Sequence, residues 1–364
     1  RALGLGFLAL HPWQPLPRLA PEGSDPLVVL SDGGEALGVA RMSEVVAALA
    51  GWSSRRRRHR RGRIAVAIHS LLGHSTEAAA ELARLAEPGE VHLWLHDYLT
   101  ICTGYNLLRN GVSYCGAPAD NSPACSVCVH GEGRAAHRAR IRALFDAAPV
   151  TVVSPSEVTL EIWRARSGIE AKASLVVPHC RILDGDGGPV PIGEDAPVRV
   201  AFAGVPADHK GWPVFRELAR RGRRWPDLDF VAFSRDAPAE PLVRHVPVRV
   251  TPDAPDAMIR ALHENRAEIA VMWASGPETF SLAAHEAIAA GALVLCPAHA
   301  GNIARLVTET GAGRCFETEG ELFDFFASGA AMDLARSRRA HRTAPGRLAF
   351  GRFTAGLVAT EAAA

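Results

Sequence analysis

Glu278 and Glu286 stand with seven residues between them in "MWASGPETFSLAAHEAIAAGALVL" (272–295). An apolar run ends near Ala274, a Gly-Pro turn follows, and Thr279 or Ser281 can cap a helix that Gly291 closes. The N–H groups of Phe280, Ser281 and Leu282 then lie at a helix start. Unsatisfied donors and the positive end of the helix dipole favour a phosphate there. Glu278 precedes that start, and Glu286 lies roughly 7 Å further along the helix at its ordinary rise per residue. Two carboxylates so placed can hold hydroxyls at both ends of a diphosphate, a sugar at one and a ribose at the other. Singly, Glu278 reads as a helix N-terminal acid and Glu286 as a solvated helical residue; their combination points to a ligand.

A cation for such a ligand stands upstream. Lys210 is one of only two lysines in an Arg-rich chain, in "VAFAGVPADHKGWPVFRELA" (200–219), between a predicted strand and a predicted helix. Lysine acts as a point charge on phosphate oxygens. Gly204 ends the preceding apolar run and lets backbone come close to a ligand. In the first half of the chain, His96 ends the run "EVHLWLHD" (90–97), and Gly33 and Gly34 form a Gly-rich loop in "DGGEALG" (32–38). A strand-end histidine serves the core or a cap as readily as a substrate.

Cys102, Cys115, Cys125 and Cys128 follow His96 with the spacing C-x12-C-x9-C-x2-C. The closing "CSVC" is a two-residue knuckle of the kind that ligates zinc, and four thiolates make a closed structural site. A metal would explain how the polar, Gly- and Pro-bearing segment between them folds. Packing thiols and a pair of disulfides are the other readings, the latter disfavoured in a reducing compartment. Structural zinc is the expectation, with His130 and His137 as spare ligands; Cys180, Cys296 and Cys315 read as core or surface thiols.

Short apolar runs alternating with helical stretches must position these groups. Strands are predicted at 26–32, 63–69, 90–97, 150–156, 173–179, 198–204, 228–234, 268–274 and 292–298. Helices are predicted near 38–50, 76–85, 135–147, 157–166, 212–221, 256–264 and 280–290. Several strands are continuous apolar runs, as in parallel sheets covered on both faces. The Gly/Pro/Asp-rich stretch "DGDGGPVPIGEDAP" (184–197) separates two such alternating blocks. The expected fold class is therefore α/β, with two Rossmann-like, doubly wound domains facing across a cleft.

Bulk properties fit that plan. The 364 residues are 48% hydrophobic and 22% charged, with a formal net charge of +1. No global field points to nucleic acid, and "SSRRRRHRRGR" (53–63) lacks interleaved aromatics. That run reads as a solvated loop or a contact with anionic lipid. No segment approaches ~18 uninterrupted apolar residues. The expected location is cytoplasmic, with peripheral contact at the inner face of a membrane. Residues 1–25 read as a linker from an upstream domain or as an arm packing on this one.

The E-x7-E stretch and the Lys210-Gly211 pair together resemble those of retaining nucleotide-sugar glycosyltransferases of the GT-B fold, specifically glycosyltransferase family 4, in a bacterial polysaccharide-type form. The resemblance runs from about residue 26 to the end and is strongest at 200–212 and 272–303. It implies an acceptor-side domain at 26–190 with a Cys-rich insertion at 98–130. It further implies a donor domain at 191–345 and a C-terminal helix at 346–364 returning toward the first domain. His96, Glu278 and Lys210 would carry the catalysis. Gly33, Gly34, Gly204, Lys210, Glu278, Thr279, Phe280, Ser281, Leu282 and Glu286 would hold a nucleotide-diphospho sugar, and the acceptor would be a glycan or a lipid-linked glycan.

The resemblance implies no cofactor for the chemistry, because Lys210 and helix amides would neutralise the leaving diphosphate. Val205 departs from the pattern, since the family often has Arg there. That departure keeps two other readings open: a non-catalytic module binding a partner through its Cys-rich loop, and a sugar-nucleotide epimerase of the same fold.

Overall fold

Continuous apolar runs become parallel strands in the computed structural model, which describes residues 6–58, 64–86, 90–119, 121–190, 192–351 and 353–362. The chain forms two units: Arg1–Gly111 with Cys115–Val177 and Arg352–Ala364, and Pro178–Gly351 with Val112–Tyr114.

The first unit holds a four-stranded parallel sheet in the order Val66–Ile68, Val91–Trp94, Val150–Ser154, Ala173–Val176. Val91–Trp94 and Val150–Ser154 are buried along their whole length, as central strands require. Helices Thr76–Leu85, Arg134–Ala147 and Glu157–Ser167 accompany it, the first and third capped by Ser75 and Ser156. The helix Phe353–Ala362 belongs to this unit too.

A second sheet in this unit is antiparallel. Leu27–Asp32 pairs with Ala9–Pro12 on one side and with Glu35–Arg41 on the other. The helix expected at 38–50 therefore starts later, as Met42–Arg58. The basic run at 53–63 enters this helix as far as Arg58, and its residues 59–63 lie outside the described residues.

The second unit is built on a six-stranded parallel sheet. Its order is Arg244–Pro247, Leu228–Ser234, Val198–Ala203, Ala267–Val271, Leu293–Pro297, Gly313–Phe316. The chain starts in the middle, winds to one edge, then returns and winds to the other. The switch point thus falls between Val198–Ala203 and Ala267–Val271, and a crevice at their carboxyl ends is where such sheets take ligands.

The alternation of the central strand divides the core. Val198, Val200 and Phe202 pack with Trp212, Phe215 and Leu218 on one face. Ala201 and Ala203 lie on the other with Ala284 and Ala287. The small side chains there let the helix Leu282–Ala289 sit close to the sheet.

The Gly/Pro-rich stretch after residue 184 lies within the second unit and is tied to it. Val190 N–H donates to Arg342 O at 2.9 Å. The buried Arg339 guanidinium pairs with Glu268 at 2.7 Å and reaches the carbonyls of Gly193, Glu194 and Ala196.

Candidate functional site

Two loops meet at the switch point of the second unit. The loop after Val198–Ala203 carries Gly204 to Gly211, and the loop after Ala267–Val271 carries Ser275 to Ser281. Ser275 N–H donates to His209 O at 3.0 Å, and Lys210 Nζ lies 2.6 Å from Glu278 Oε1. Gly211 makes this approach possible: it sits at φ +82°, and a Cβ there would lie 2.1 Å from Trp273 O. Glu278 is fixed from the other side, its N–H donating to Ala300 O at 3.1 Å and its C=O accepting from Asn302 N at 2.9 Å. Gly204, at φ +112°, faces open space. Val205 is 72% exposed and offers no charge where a second cation is expected. Burial and the neighbouring Lys210 both hold the His209 imidazole below its usual basicity.

Ser281, and not Thr279, caps the next helix: its Oγ accepts from Ala284 N at 3.3 Å. Its backbone is left-handed at φ +66°, a conformation that a non-glycine residue holds only at a cost. Phe280 is buried against the His285 ring, 4.2 Å between centroids and 14° between planes, and its carbonyl accepts from Asn302 Nδ2 at 2.9 Å. The first N–H groups of the helix, Leu282 among them, have no partner within it. Glu286 is 9% exposed and its carboxylate has no hydrogen-bonding partner among the described residues. Burial pushes its pKa up to about 7. Burial and the charge of Glu286 also push the Cys180 thiol up to about 11. Glu286 is thus a buried carboxyl and not the solvated helical residue that it reads as when taken singly. The neighbouring Cys180 and the stacked His285 had no signal in the sequence.

In the first unit, His96 follows the strand Val91–Trp94, and its Nε2 is 3.0 Å from Nδ1 of His69. Trp94 lies nearly parallel to both imidazoles, with ring planes 14° from His69 and 6° from His96. His69 Nε2 is 2.9 Å from Thr354 Oγ1, which also accepts from Trp94 Nε1 at 3.0 Å. The sequence reading passed over His69 and Thr354. One signal was available: two apolar runs, "RIAVAIH" and "EVHLWLH", both close on histidine. Asp97 serves a turn, accepting from Leu99 N at 2.8 Å, and burial raises its pKa.

Gly33 and Gly34 have a structural role of their own. They are the two-residue turn of an antiparallel hairpin, with Asp32 paired to Glu35 and φ at +59° and +94°. Hairpin turns of this length demand positive φ, which explains both glycines without a ligand.

The cysteines also depart from expectation. Cys102, Cys115, Cys125 and Cys128 line one small pocket together with His130 and Arg134. Yet among the described residues no three His, Cys, Asp or Glu side chains converge closely enough to share an ion, and all four thiols are free. Other contacts hold the segment. Arg134 donates to Pro118 O at 2.6 Å and to Cys125 Sγ at 3.1 Å, Thr103 to His130 O at 3.0 Å, and Asn110 to Val127 O at 3.3 Å. The spare ligand His137 is likewise taken, its Nε2 lying 2.5 Å from Leu99 O. The zinc cage read from the spacing is thus not supported among the described residues, where an Arg-centred hydrogen-bond network ties the segment together.

The chain is similar in fold to a chain of the GtfA/B complex, with a TM-score of 0.50 and 11% identity over 89% of this chain. It spans 59% of the length of that chain. Weaker likenesses are to HepE of Anabaena in complex with UDP-glucose (TM-score 0.48, 14% identity, 82% of this chain and 78% of that one). Another is to WaaG, a glycosyltransferase involved in lipopolysaccharide biosynthesis (TM-score 0.42, 14% identity, 80% and 75%). No protein-family model and no curated protein matches the sequence. The parallel sheets, their helices and the likeness to GtfA/B define an α/β fold of the GT-B class. No described helix is long and apolar enough to cross a membrane.

Proposed function

We propose that the chain is a glycosyltransferase that takes a nucleotide-diphospho sugar as donor and passes the sugar to a glycan or lipid-linked acceptor with retention of configuration. One observation carries the reading. At a single sheet switch point, Lys210 and Glu278 are paired at 2.6 Å while Glu286 stands buried and unpartnered in the helix that Ser281 caps. In this reading Glu286 accepts the ribose hydroxyls, and the helix-start amides of Ser281 and Leu282 and the Lys210 ammonium hold the diphosphate. Glu278 holds the sugar. As the sugar departs, negative charge grows on the diphosphate, and donors already in place stabilise it without reorganising. No step calls for a bound divalent metal. The motif resemblance supports retention and assigns His96 to the sugar.

The test is a titration of the purified chain with UDP, GDP and dTDP, then hydrolysis of the corresponding sugar nucleotides without acceptor. Binding of one nucleotide and slow release of its sugar are expected. A chain that binds none of the three is not a transferase of this kind.

A further inference from the structure

Two cysteines of the second unit face each other across neighbouring strands. Cys296 on Leu293–Pro297 is the register partner of Cys315 on Gly313–Phe316, and their sulfurs lie 3.6 Å apart. Paired residues of parallel strands project to the same face, and a strand spacing of about 4.8 Å falls inside the Cα separation that a disulfide bridges. Both thiols are free, and their sulfurs would close by about 1.5 Å to bond. The two are not equivalent. Gly313–Phe316 is an edge strand, where Cys315 is half-buried with its sulfur 3.8 Å from Ala304 O of the helix Asn302–Thr310. Cys296 is fully buried one strand further in. A hydrogen bond from the Cys296 thiol holds the Cys315 pKa down at about 7, against burial and the charge of Glu317, and that same bond with burial pushes Cys296 up. Cys315 is therefore the nucleophile of the pair, and Cys296 keeps its proton.

The pair also stands at the root of the loop that fixes Glu278. Ala298, two residues beyond Cys296, donates its N–H at 2.8 Å to the carbonyl of Phe316, the neighbour of Cys315. Ala300 N–H donates back to Pro297 O at 3.0 Å, its own carbonyl accepts from Glu278 N, and Asn302 N donates to Glu278 O. A Cβ on Gly301 would lie 2.6 Å from that same Glu278 oxygen. Packing this close passes a strand shift on to its neighbours.

We propose that Cys296 and Cys315 form a reversible disulfide under peroxide, and that closing it displaces the 298–302 loop and with it Glu278, weakening the donor site. The bond stands on the geometry of the pair; its effect on donor binding rests on the transferase reading. In the first step the Cys315 thiolate attacks one oxygen of hydrogen peroxide, the O–O bond breaks, and hydroxide leaves and takes up the proton that Cys315 released. Cys315 is then a sulfenic acid. The Cys296 sulfur attacks that sulfur, the S–O bond breaks, and the hydroxide leaves as water with the Cys296 proton. Two thiols have lost two electrons, and one peroxide has become two waters. A dithiol reductant reverses the bond by exchange at Cys315, the more accessible sulfur.

The test treats the unliganded full chain with stoichiometric hydrogen peroxide, alkylates the remaining thiols and maps the peptides by mass. A 296–315 crosslink is expected, reopened by dithiothreitol. Cys296→Ala should stop at a Cys315 sulfenic acid that dimedone traps, and Cys315→Ser should leave Cys296 reduced. Amide hydrogen exchange of the wild type over 277–281 and 298–302 should rise when the bond forms and fall back on reduction. UDP, GDP and dTDP are then titrated. Whichever the reduced chain binds should bind the oxidised chain at least about tenfold more weakly, as when one charge-assisted hydrogen bond is lost. Cys315→Ser should bind as the reduced wild type does and ignore peroxide.

Cys296 and Cys315 both still alkylated after peroxide would overturn the pair as a redox site. A crosslink that leaves the exchange or the nucleotide affinity unchanged, or a weakening that persists in Cys315→Ser, would overturn its link to Glu278. Absence of nucleotide binding in the reduced chain would instead overturn the transferase reading, and crosslink and exchange would still decide this one.

Discussion

Lys210 Nζ and Glu278 Oε1, 68 residues apart in sequence, meet at 2.6 Å across the two loops of the sheet switch point. The pair is partly solvated, the side chains being 44% and 18% exposed, so it contributes only about 0–1 kcal/mol to folding. Its value lies in binding. With the site unliganded, Glu278 balances the lysine; a diphosphate competes for the same ammonium. Lys210→Ala should therefore weaken nucleoside-diphosphate binding by about 1–3 kcal/mol while the melting temperature barely moves. Glu278→Gln should mainly lower turnover. Calorimetric titration of both variants checks this, and an unchanged Kd in Lys210→Ala would remove the lysine from the site.

Glu286 links affinity to pH. Its pKa rises from 4.5 to about 7 because burial disfavours the carboxylate. Below pH 4.5 the folded and unfolded chains both hold the proton. As pH rises from there to about 7, the unfolded chain releases it first, so folding stability falls through that window and levels off above it. The total loss is on the order of 3 kcal/mol. Glu286→Gln should match the wild type near pH 4.5 and be more stable at pH 8, as denaturant titration at the two values will show. Binding runs the opposite way, since the carboxylate is the better acceptor for ribose hydroxyls. Wild-type nucleotide affinity should rise between pH 6 and pH 8, and Glu286→Gln should bind more weakly with no such rise. A flat wild-type profile would separate Glu286 from the ribose.

Gly211 and Gly34 should respond differently to alanine. Both have positive φ, +82° and +94°, which costs an L side chain about 1–2 kcal/mol. At Gly34 nothing lies within 4 Å of the added Cβ, so the conformational cost is the whole effect. At Gly211 the Cβ would meet Trp273 O at 2.1 Å, and one of the two loops must shift. Gly211→Ala should therefore lose more stability than Gly34→Ala and also lose nucleotide binding, because the shift separates Lys210 from Glu278. Equal losses of stability, with binding intact in both, would show that the loop contact is not needed.

The strand, turn and helix that carry Glu278 and Glu286 were legible because they are local. Glu278, Ser281 and Glu286 lie on one strand-turn-helix segment, where spacing alone sets the geometry. Buried parallel strands such as Val150–Ser154 and Leu228–Ser234 were equally plain, being short apolar runs. What stayed hidden depends on pairing between distant segments. Glu35–Arg41 is the local exception: it is almost wholly exposed, its apolar residues read as the start of a helix, and its hairpin with Leu27–Asp32 makes it a strand. His69 and Thr354 are 285 residues apart, and nothing in either local sequence joins them. The cysteine spacing alone does not decide for a cage, because knuckle spacing does not orient the sulfurs. A buried Arg134 can hold the same loop by its carbonyls.

That arrangement ranks the thiols by reactivity. Cys102 is buried, and burial raises its pKa, so little of it is thiolate at neutral pH and little of that is accessible. Cys115, Cys125 and Cys128 are half-buried. Timed iodoacetamide labelling followed by peptide mass mapping should find Cys102 the last of the four to be modified. Arg134→Gln should loosen the loop around Pro118, whose carbonyl it would no longer reach, and so speed labelling of the cysteines there. If all four cysteines instead resisted labelling until a chelator was added, and then reacted together, the sulfurs would be shown to share an ion and the hydrogen-bond account of this loop would fall.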